Sequence, residues 1–305
     1  MTNILYNVEK VIIGKRFAIE LVINAMICQG HILIEDVPGV GKTSLVSALA
    51  KSVACSFKRI QFTPDIMPSD ITGFSTFSLK TNDFEYKPGA VMSQFILADE
   101  INRTSPKTQS SLLEVMEENQ VTVDGITYAV PRPFMVLATQ NPVEYLGTYP
   151  LPEAQLDRFF MKISLGYPEP SEESRMLGRF KYGSPLSTLL PVTDGIYITA
   201  VQNLAETIYV DHQLHDYIVD IVRNTRMQDE VILGASPRAS LYLFKSAQAW
   251  ALYNGREYVV PDDIIQMAPY VLEHRIVMRQ EARLKKITAS IIVERALESV
   301  RTPVI

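Results

Sequence analysis

Apolar residues come in short bursts along the first half of the chain. Ile32–Leu33–Ile34, residues 57–62, QFILA at 94–98, PFMVLAT at 133–139 and residues 159–163 are each bounded by polar or turn-forming positions. Runs this short, apolar at nearly every position, predict strands buried on both faces. Between them the period becomes helical: Phe17, Leu21, Ala25 and Cys28 line one stripe of residues 15–29, and a helical run covers 44–53. Strand and helix signals in alternation predict an α/β fold with a parallel sheet covered by helices. Two stretches break the alternation. Residues 75–86 place Thr81–Asn82–Asp83 between alternating apolar positions, and residues 121–130 carry Asp124–Gly125. Both predict β-hairpins inserted into the core.

After Tyr167 the pattern changes. Pro168, Pro170, Pro185 and Pro191 punctuate what reads as a connecting region. From Ile196 onward the spacing is helical, over residues 196–208, 214–227, 238–253, 262–272 and 287–300. Ser236 is predicted to cap the third of these, with Pro237 in its first turn, and Pro261–Asp262–Asp263 to open the fourth. The chain therefore divides into an α/β core over 1–190 and an all-helical domain over 191–305.

Composition narrows the class. At 305 residues there is ample core for two domains, and 47% hydrophobic against 21% charged residues fits a soluble globular protein. No apolar run reaches the roughly 18 residues of a membrane span, and MTNILYNVEK lacks a basic segment followed by an apolar one. The expectation is a cytoplasmic protein. Cys28 and Cys55 are predicted to be buried free thiols rather than a disulfide or metal site. A net charge of −5 argues against a general nucleic-acid binder and leaves a local basic patch open.

The chemistry concentrates in HILIEDVPGVGKTS, residues 31–44. A strand, a Gly-containing turn, Lys42–Thr43 and a helix follow in order. Gly39 and Gly41 let backbone N–H groups turn onto an anion, and the helix start adds its dipole. Lys42 supplies a cation for β/γ-phosphates, and the Thr43 hydroxyl can hold Mg²⁺. The strict phosphate-loop pattern has glycine where this chain has Asp36. The plainer reading is an ordinary Gly-rich turn. Asp99–Glu100 ends the QFILA strand, at the sheet edge where parallel sheets bind ligands. There Asp99 can hold Mg²⁺ and Glu100 can polarise an attacking water, or the pair is a solvated turn. Asn141 follows another strand at the same edge; it is either a hydrogen-bond donor to water or γ-phosphate, or half of an Asn–Pro turn. Arg158 and Arg238 have guanidinium forks suited to phosphate oxygens. The alternatives are a local pair of Arg158 with Asp157 or Glu153, and a surface arginine at 238. His212 and His215 read as a solvated helix start, because no further ligands complete a metal site. Phe74, Phe77 and Phe84 are hairpin core, or substrate contacts if exposed.

Taken together, these segments resemble the AAA+ ATPases, and specifically the MoxR family. LIEDVPGVGKTSL, RIQFTPDIMPSDITG, LADEINRTSPKTQSSLLEVMEE, VLATQNP, LPEAQLDRF and GASPRA occur in the family's order, and the resemblance covers almost the whole chain. It implies an AAA+ P-loop core with hairpin inserts and a C-terminal helical lid. Gly39, Val40, Gly41, Lys42, Thr43 and Ser44 would form Walker A, and Asp99 with Glu100 Walker B. Thr43 and Asp99 would serve Mg²⁺. Asn141 would be sensor 1, Arg158 the arginine finger and Arg238 sensor 2. Ile12, Ile13 and Gly14 occupy the adenine position, and Gln61 that of a polar switch residue restraining the catalytic glutamate. The resemblance further implies ATP and Mg²⁺ as cofactors and a homo-hexameric ring in which Arg158 completes the neighbour's site. The work implied is remodelling or maturing a partner protein, often one with a von Willebrand factor A domain. The chain has no Asp-x-Ser-x-Ser motif, so that domain would belong to another polypeptide. Two rival functions are a nucleotide-gated assembly module with incidental hydrolysis and a DNA-directed motor. The second is disfavoured by hairpins with few basic residues, Lys80 and Lys87 near one and none within 121–130.

Overall fold

The structure, a computed structural model, describes residues 1–141, 147–180 and 183–304. Two compact units interleave along the chain. The first contains Met1–Ile23, His31–Leu151 and Ile163–Thr199, the second Asn24–Gly30, Pro152–Lys162 and Ala200–Ile305.

The strands, in chain order, are β1 (Ile32–Glu35), β2 (Phe57–Gln61), β3 (Gly73–Ser78), β4 (Asp83–Pro88), β5 (Phe95–Asp99), β6 (Gln120–Val123), β7 (Ile126–Ala129), β8 (Met135–Gln140), β9 (Met161–Ile163), β10 (Val231–Leu233) and β11 (Val277–Met278). The central sheet has the order β2-β5-β8-β1-β9, and β2–β5, β5–β8 and β1–β8 are parallel pairs. β5 and β8 lie inside the sheet, and every residue from Phe95 to Ala98 and from Met135 to Thr139 is buried. This is why their sequences are apolar without alternation. β2 is at the edge, exposes Lys58 and Arg59 and buries Ile60, so its sequence is mixed. Each fully buried Leu, Ile or Phe side chain contributes about 1.5–3 kcal/mol relative to exposure.

Register aligns the ends of four strands. Gln61 pairs with Asp99, Ala98 with Ala138, and Ile34 with Thr139. Gln61, Asp99 and Thr139 therefore share one row at the carboxyl edge of the sheet, level with Ile34 near the end of β1. Strand spacing of about 4.8 Å puts β5 roughly 10 Å from β1.

Both expected hairpins form. β3 pairs with β4 and β6 with β7. Asn82, Asp124 and Gly125 supply the positive φ values their turns require. Tyr86 of one hairpin stacks on Tyr128 of the other at 4.1 Å. Phe74, Phe77 and Phe84 are exposed rather than core, and Leu79 at the tip is 91% exposed. The Pro-rich stretch after Tyr167 is more than a connection: it contains the helix Pro170–Phe180. Pro170 sits in the first turn, Glu172 and Glu173 follow it there, and Arg179 lies in the last, an arrangement that suits the helix dipole.

The second unit is built on the helices His212–Arg226, Pro237–Tyr253, Pro261–Leu272 and Ala289–Ser299. The all-helical expectation for this part needs one addition, the short antiparallel pair β10–β11. Ser236 occupies the N-cap position of Pro237–Tyr253, yet its side chain makes no cap bond; the hydroxyl donates to Asp157 instead. Asp263 does accept from Val260 N, closing the start of its helix. His212 and His215 lie in the first turn of His212–Arg226, and among the described residues no three His, Cys, Asp or Glu side chains could hold a metal ion. None of the described helices is long and apolar enough to cross a membrane.

Candidate active site

The Gly-rich loop runs from the end of β1 to the helix Lys42–Ser52. Gly39 and Gly41 adopt φ of 88° and 93°, the left-handed region that costs a side-chain-bearing residue energy. Gly41 is also the N-cap of the helix, so the first helical N–H groups open toward the loop. Lys42 Nζ reaches back across the loop to the Asp36 carbonyl at 2.8 Å. Thr43 and Ser44 follow in the first turn.

The buried Asp36 carboxylate accepts from Ser164 Oγ at 3.0 Å, from Leu165 N, and from Gly166 N at 3.2 Å. It fastens the loop to the chain just beyond β9.

Beside the loop lies a pocket of about 280 Å³, mostly apolar in its lining, which includes Ile12, Ile13, Val40, Gly41, Ser44 and Met176. Gly14 turns the chain between Ile13 and Lys15 with φ of 75°. A Cβ on it would fall 1.9 Å from the Glu172 carboxyl. Ile12 and Ile13, expected around an adenine ring, and Gly39, Val40, Gly41 and Ser44, expected around its phosphates, thus border one cavity; Gly14, Lys42 and Thr43 are not part of its lining.

The acidic pair occupies the row defined above. Asp99 ends β5, and Glu100 follows in a left-handed conformation, φ 58° and ψ 50°. For a non-glycine residue that geometry is strained and clusters at functional sites. Thr139, fully buried on β8, ties the pair together: its hydroxyl donates to Asp99 Oδ1 at 2.6 Å and accepts from Glu100 N at 2.8 Å. Arg59 on β2 donates Nε and Nη2 to Asp99 Oδ2 at 3.1 and 2.6 Å. Its Nη2 also reaches Gln61 Oε1 at 2.5 Å. Because that oxygen faces a cation, the Gln61 amide nitrogen is left to donate to Glu100 Oε2, at 2.8 Å. Arg103 approaches the same Glu100 oxygen at 3.2 Å. Asn141 follows β8 directly, two residues beyond Thr139, and is buried; Pro142 falls outside the described residues.

Gln61, Asp99 and Glu100 were legible in the sequence; Arg59, Thr139 and Arg103 were not singled out. A signal existed for Arg59. It precedes Gln61 by two positions on an edge strand, so both side chains point to one face.

Arg158 and Arg238 belong to the second unit. Arg158 follows the short helix Glu153–Leu156, and Arg238 lies in the first turn of Pro237–Tyr253, its Nε 4.0 Å from Asp157 Oδ2. Cys28 and Cys55 are free thiols. Burial raises both pKa values, that of Cys55 to about 11 and that of Cys28 further, so neither is a thiolate at neutral pH.

Residues 31–161 match the family described as ATPase family associated with various cellular activities (AAA), and residues 223–296 match the AAA lid domain. The uncharacterized protein YeaC of Bacillus subtilis is 51% identical across 98% of this chain and 93% of its own. Chaperone MoxR1 of Mycobacterium tuberculosis is 41% identical across 98% of this chain and 81% of its own. A crystal structure of a Cytophaga hutchinsonii protein superposes with a TM-score of 0.93 at 39% identity, covering 99% of this chain and 94% of that one.

Proposed function

Because the chain belongs to the MoxR family of AAA+ ATPases, we propose that it hydrolyses Mg-ATP within a homo-hexameric ring and uses the cycle to remodel or mature a partner protein carrying a von Willebrand factor A domain. Residues 1–190 serve as the nucleotide-binding core and 191–305 as the lid. The observation that carries this reading is the pair Asp99–Glu100, held by Thr139, Arg59 and Gln61 in the same edge row of the sheet that leads into the phosphate loop.

Ile12, Ile13 and Gly14 border the adenine position. The N–H groups of Gly39, Val40 and Gly41 and the helix start receive the phosphates, and Ser44 lines the pocket with them. Lys42 exchanges the Asp36 carbonyl for a phosphate oxygen, a stronger acceptor for an ammonium group. Thr43 and Asp99 offer a hydroxyl and a carboxylate, the hard oxygen donors that suit Mg²⁺, and no thiol or imidazole competes at those positions. When bound, Mg²⁺ neutralises charge on the β- and γ-phosphates.

Glu100 is the base that orients and polarises the attacking water. To do so its Oε2 gives up the Gln61 amide for the water proton. Asn141 donates to the water or the γ-phosphate. Arg238 contacts the γ-phosphate of its own subunit, and Arg158 reaches the site of the neighbour, where each guanidinium offsets the charge of the transferring group.

Two variants test the reading. Glu100→Gln should bind ATP as the wild type does, measured by calorimetry, and lose about 10²-fold or more in turnover. Arg158→Ala should also bind and fail to hydrolyse, and mixing it with Lys42→Ala subunits should restore part of the activity. Unchanged turnover in Glu100→Gln, or no recovery in mixed rings, overturns the assignment. Capture with the Glu100→Gln protein and ATP should retain a von Willebrand factor A protein; retention that ignores nucleotide removes that partner.

A further inference from the structure

Arg275 is buried, with its side chain only 1% exposed, and nothing in the proposed chemistry so far uses it. Burying a guanidinium is expensive unless every donor finds a partner. Here all five do. Nε donates to Asp157 Oδ1 at 2.9 Å. Nη2 donates to the carbonyls of Asp157, at 3.0 Å, and of Phe159. Nη1 donates to the Val271 carbonyl and faces His274 Nε2 at 2.6 Å. The Tyr242 ring lies 5.1 Å from the guanidinium carbon.

Two of these acceptors are informative by position. The carbonyls of Asp157 and Phe159 are those on either side of Arg158. A single planar fork therefore fixes the peptide group that enters Arg158 and the one that follows Phe159 and, through the carboxylate, the side chain just before Arg158. That carboxylate has a second anchor: Ser236 Oγ donates to it at 2.9 and 3.1 Å, the bond that draws Ser236 away from capping its own helix. Arg238 Nε stands 4.0 Å from its other oxygen. The charged and titratable groups around Arg275 are thus Asp157, Arg238, Tyr242 and His274. Burial and the neighbouring guanidinium both lower the His274 pKa, which keeps the imidazole neutral. Burial lowers that of Arg275 to about 10, against the pull of Asp157, and leaves it charged at neutral pH.

We propose that Arg275 is a positioning residue for hydrolysis: by holding the backbone at 157–159 it aims the Arg158 guanidinium. This rests on the reading of Arg158 given above. A lysine at 275 preserves the charge, but its single ammonium group cannot span two carbonyls, a carboxylate and the Val271 carbonyl at once. Displacing a reacting group by about 1 Å can cost of order 10²-fold in rate.

The experiment compares Arg275→Lys, Arg158→Ala and the double variant, each confirmed as folded by circular dichroism and assembled by light scattering. Arg275→Lys should lower kcat by roughly tenfold or more while ATP affinity stays within about threefold. In the Arg158→Ala background it should lower kcat no further, since a residue that acts through Arg158 has nothing left to aim. Asp157→Asn, which keeps the side-chain shape and removes the charge, should show the same non-additivity and serves if Arg275→Lys does not fold. A loss that adds fully to that of Arg158→Ala, or a normal kcat in folded Arg275→Lys and Asp157→Asn, overturns the proposal while leaving Arg158 as the finger. A normal kcat in Arg158→Ala overturns both.

Discussion

Acid should loosen this protein, and one imidazole supplies a separable part of the loss. His31 stands immediately before β1, almost wholly buried. Its Nδ1 accepts from Val136 N at 3.0 Å, and its Nε2 lies 3.0 Å from the Met116 carbonyl. A neutral ring with the proton on Nε2 satisfies both neighbours. A protonated ring turns Nδ1 into a donor facing another donor. Burial lowers the pKa from 6.5 to about 4, with the Met116 carbonyl opposing the shift. The unfolded chain takes up the proton first, near pH 6.5. The stability held by the neutral ring is complete above that value and is lost progressively as pH falls toward 4. At 1.36 kcal/mol per unit, the gap amounts to about 3 kcal/mol. Against a typical total of about 5–15 kcal/mol that is a large fraction.

The assay is urea unfolding of the wild type and His31→Gln at pH 7 and pH 4.5. Glutamine keeps one donor and one acceptor and does not titrate in this range. Between the two pH values the wild type should lose roughly 2 kcal/mol more than the variant. All other titrating groups, including buried His274, are common to both proteins and cancel in the difference. Equal pH slopes would refute the assignment of this loss to His31. Because Val136 lies on the strand that carries Thr139 and leads into Asn141, ATPase activity should fall over the same pH window before global unfolding.

Two substitutions probe the site itself. Thr139→Val removes the hydroxyl shared by Asp99 Oδ1 and Glu100 N; stability should fall by about 1–3 kcal/mol in chemical denaturation, turnover should fall much more than ATP affinity, and Thr139→Ser should restore both. Gly14→Ala places a Cβ at φ 75° and displaces the Glu172 carboxyl; the expected cost is about 1–2 kcal/mol with weaker ATP binding by calorimetry, and a variant indistinguishable from wild type would show that the turn tolerates a side chain.

The sheet was readable from sequence because β5 and β8 are buried on both faces, which leaves unbroken apolar runs. The Gly-rich loop was readable because only glycine takes φ near 90° without strain at positions 39 and 41. What escaped notice has physical reasons. The helix Pro170–Phe180 hid behind a proline that belongs to its own first turn. β10 and β11 are three and two residues long, too short to leave a periodic trace. Ser236 has the residue type and position of a cap, but a carboxylate 79 residues away offers its hydroxyl a charged acceptor. Charge-assisted bonds are the stronger ones, so the tertiary partner wins. Thr139, Arg59 and Arg275 are alike in this: their partners are set by strand register or by chain return, which no local pattern records.

Asp36 carries the same point into the Gly-rich loop. Read against the general pattern, it is a missing glycine. In the folded chain its carbonyl receives Lys42, and its carboxylate receives the Ser164 hydroxyl and the N–H groups of Leu165 and Gly166. A glycine there would keep the carbonyl contact and leave the other donors without their acceptor. Each buried donor so stranded costs about 1–3 kcal/mol. The aspartate also has no call on special backbone freedom, since the positive φ values of the loop fall on Gly39 and Gly41. The loop thus keeps glycine at the two positions where the backbone takes positive φ. At the third it trades conformational licence for a carboxylate that fastens the loop to the chain emerging from β9.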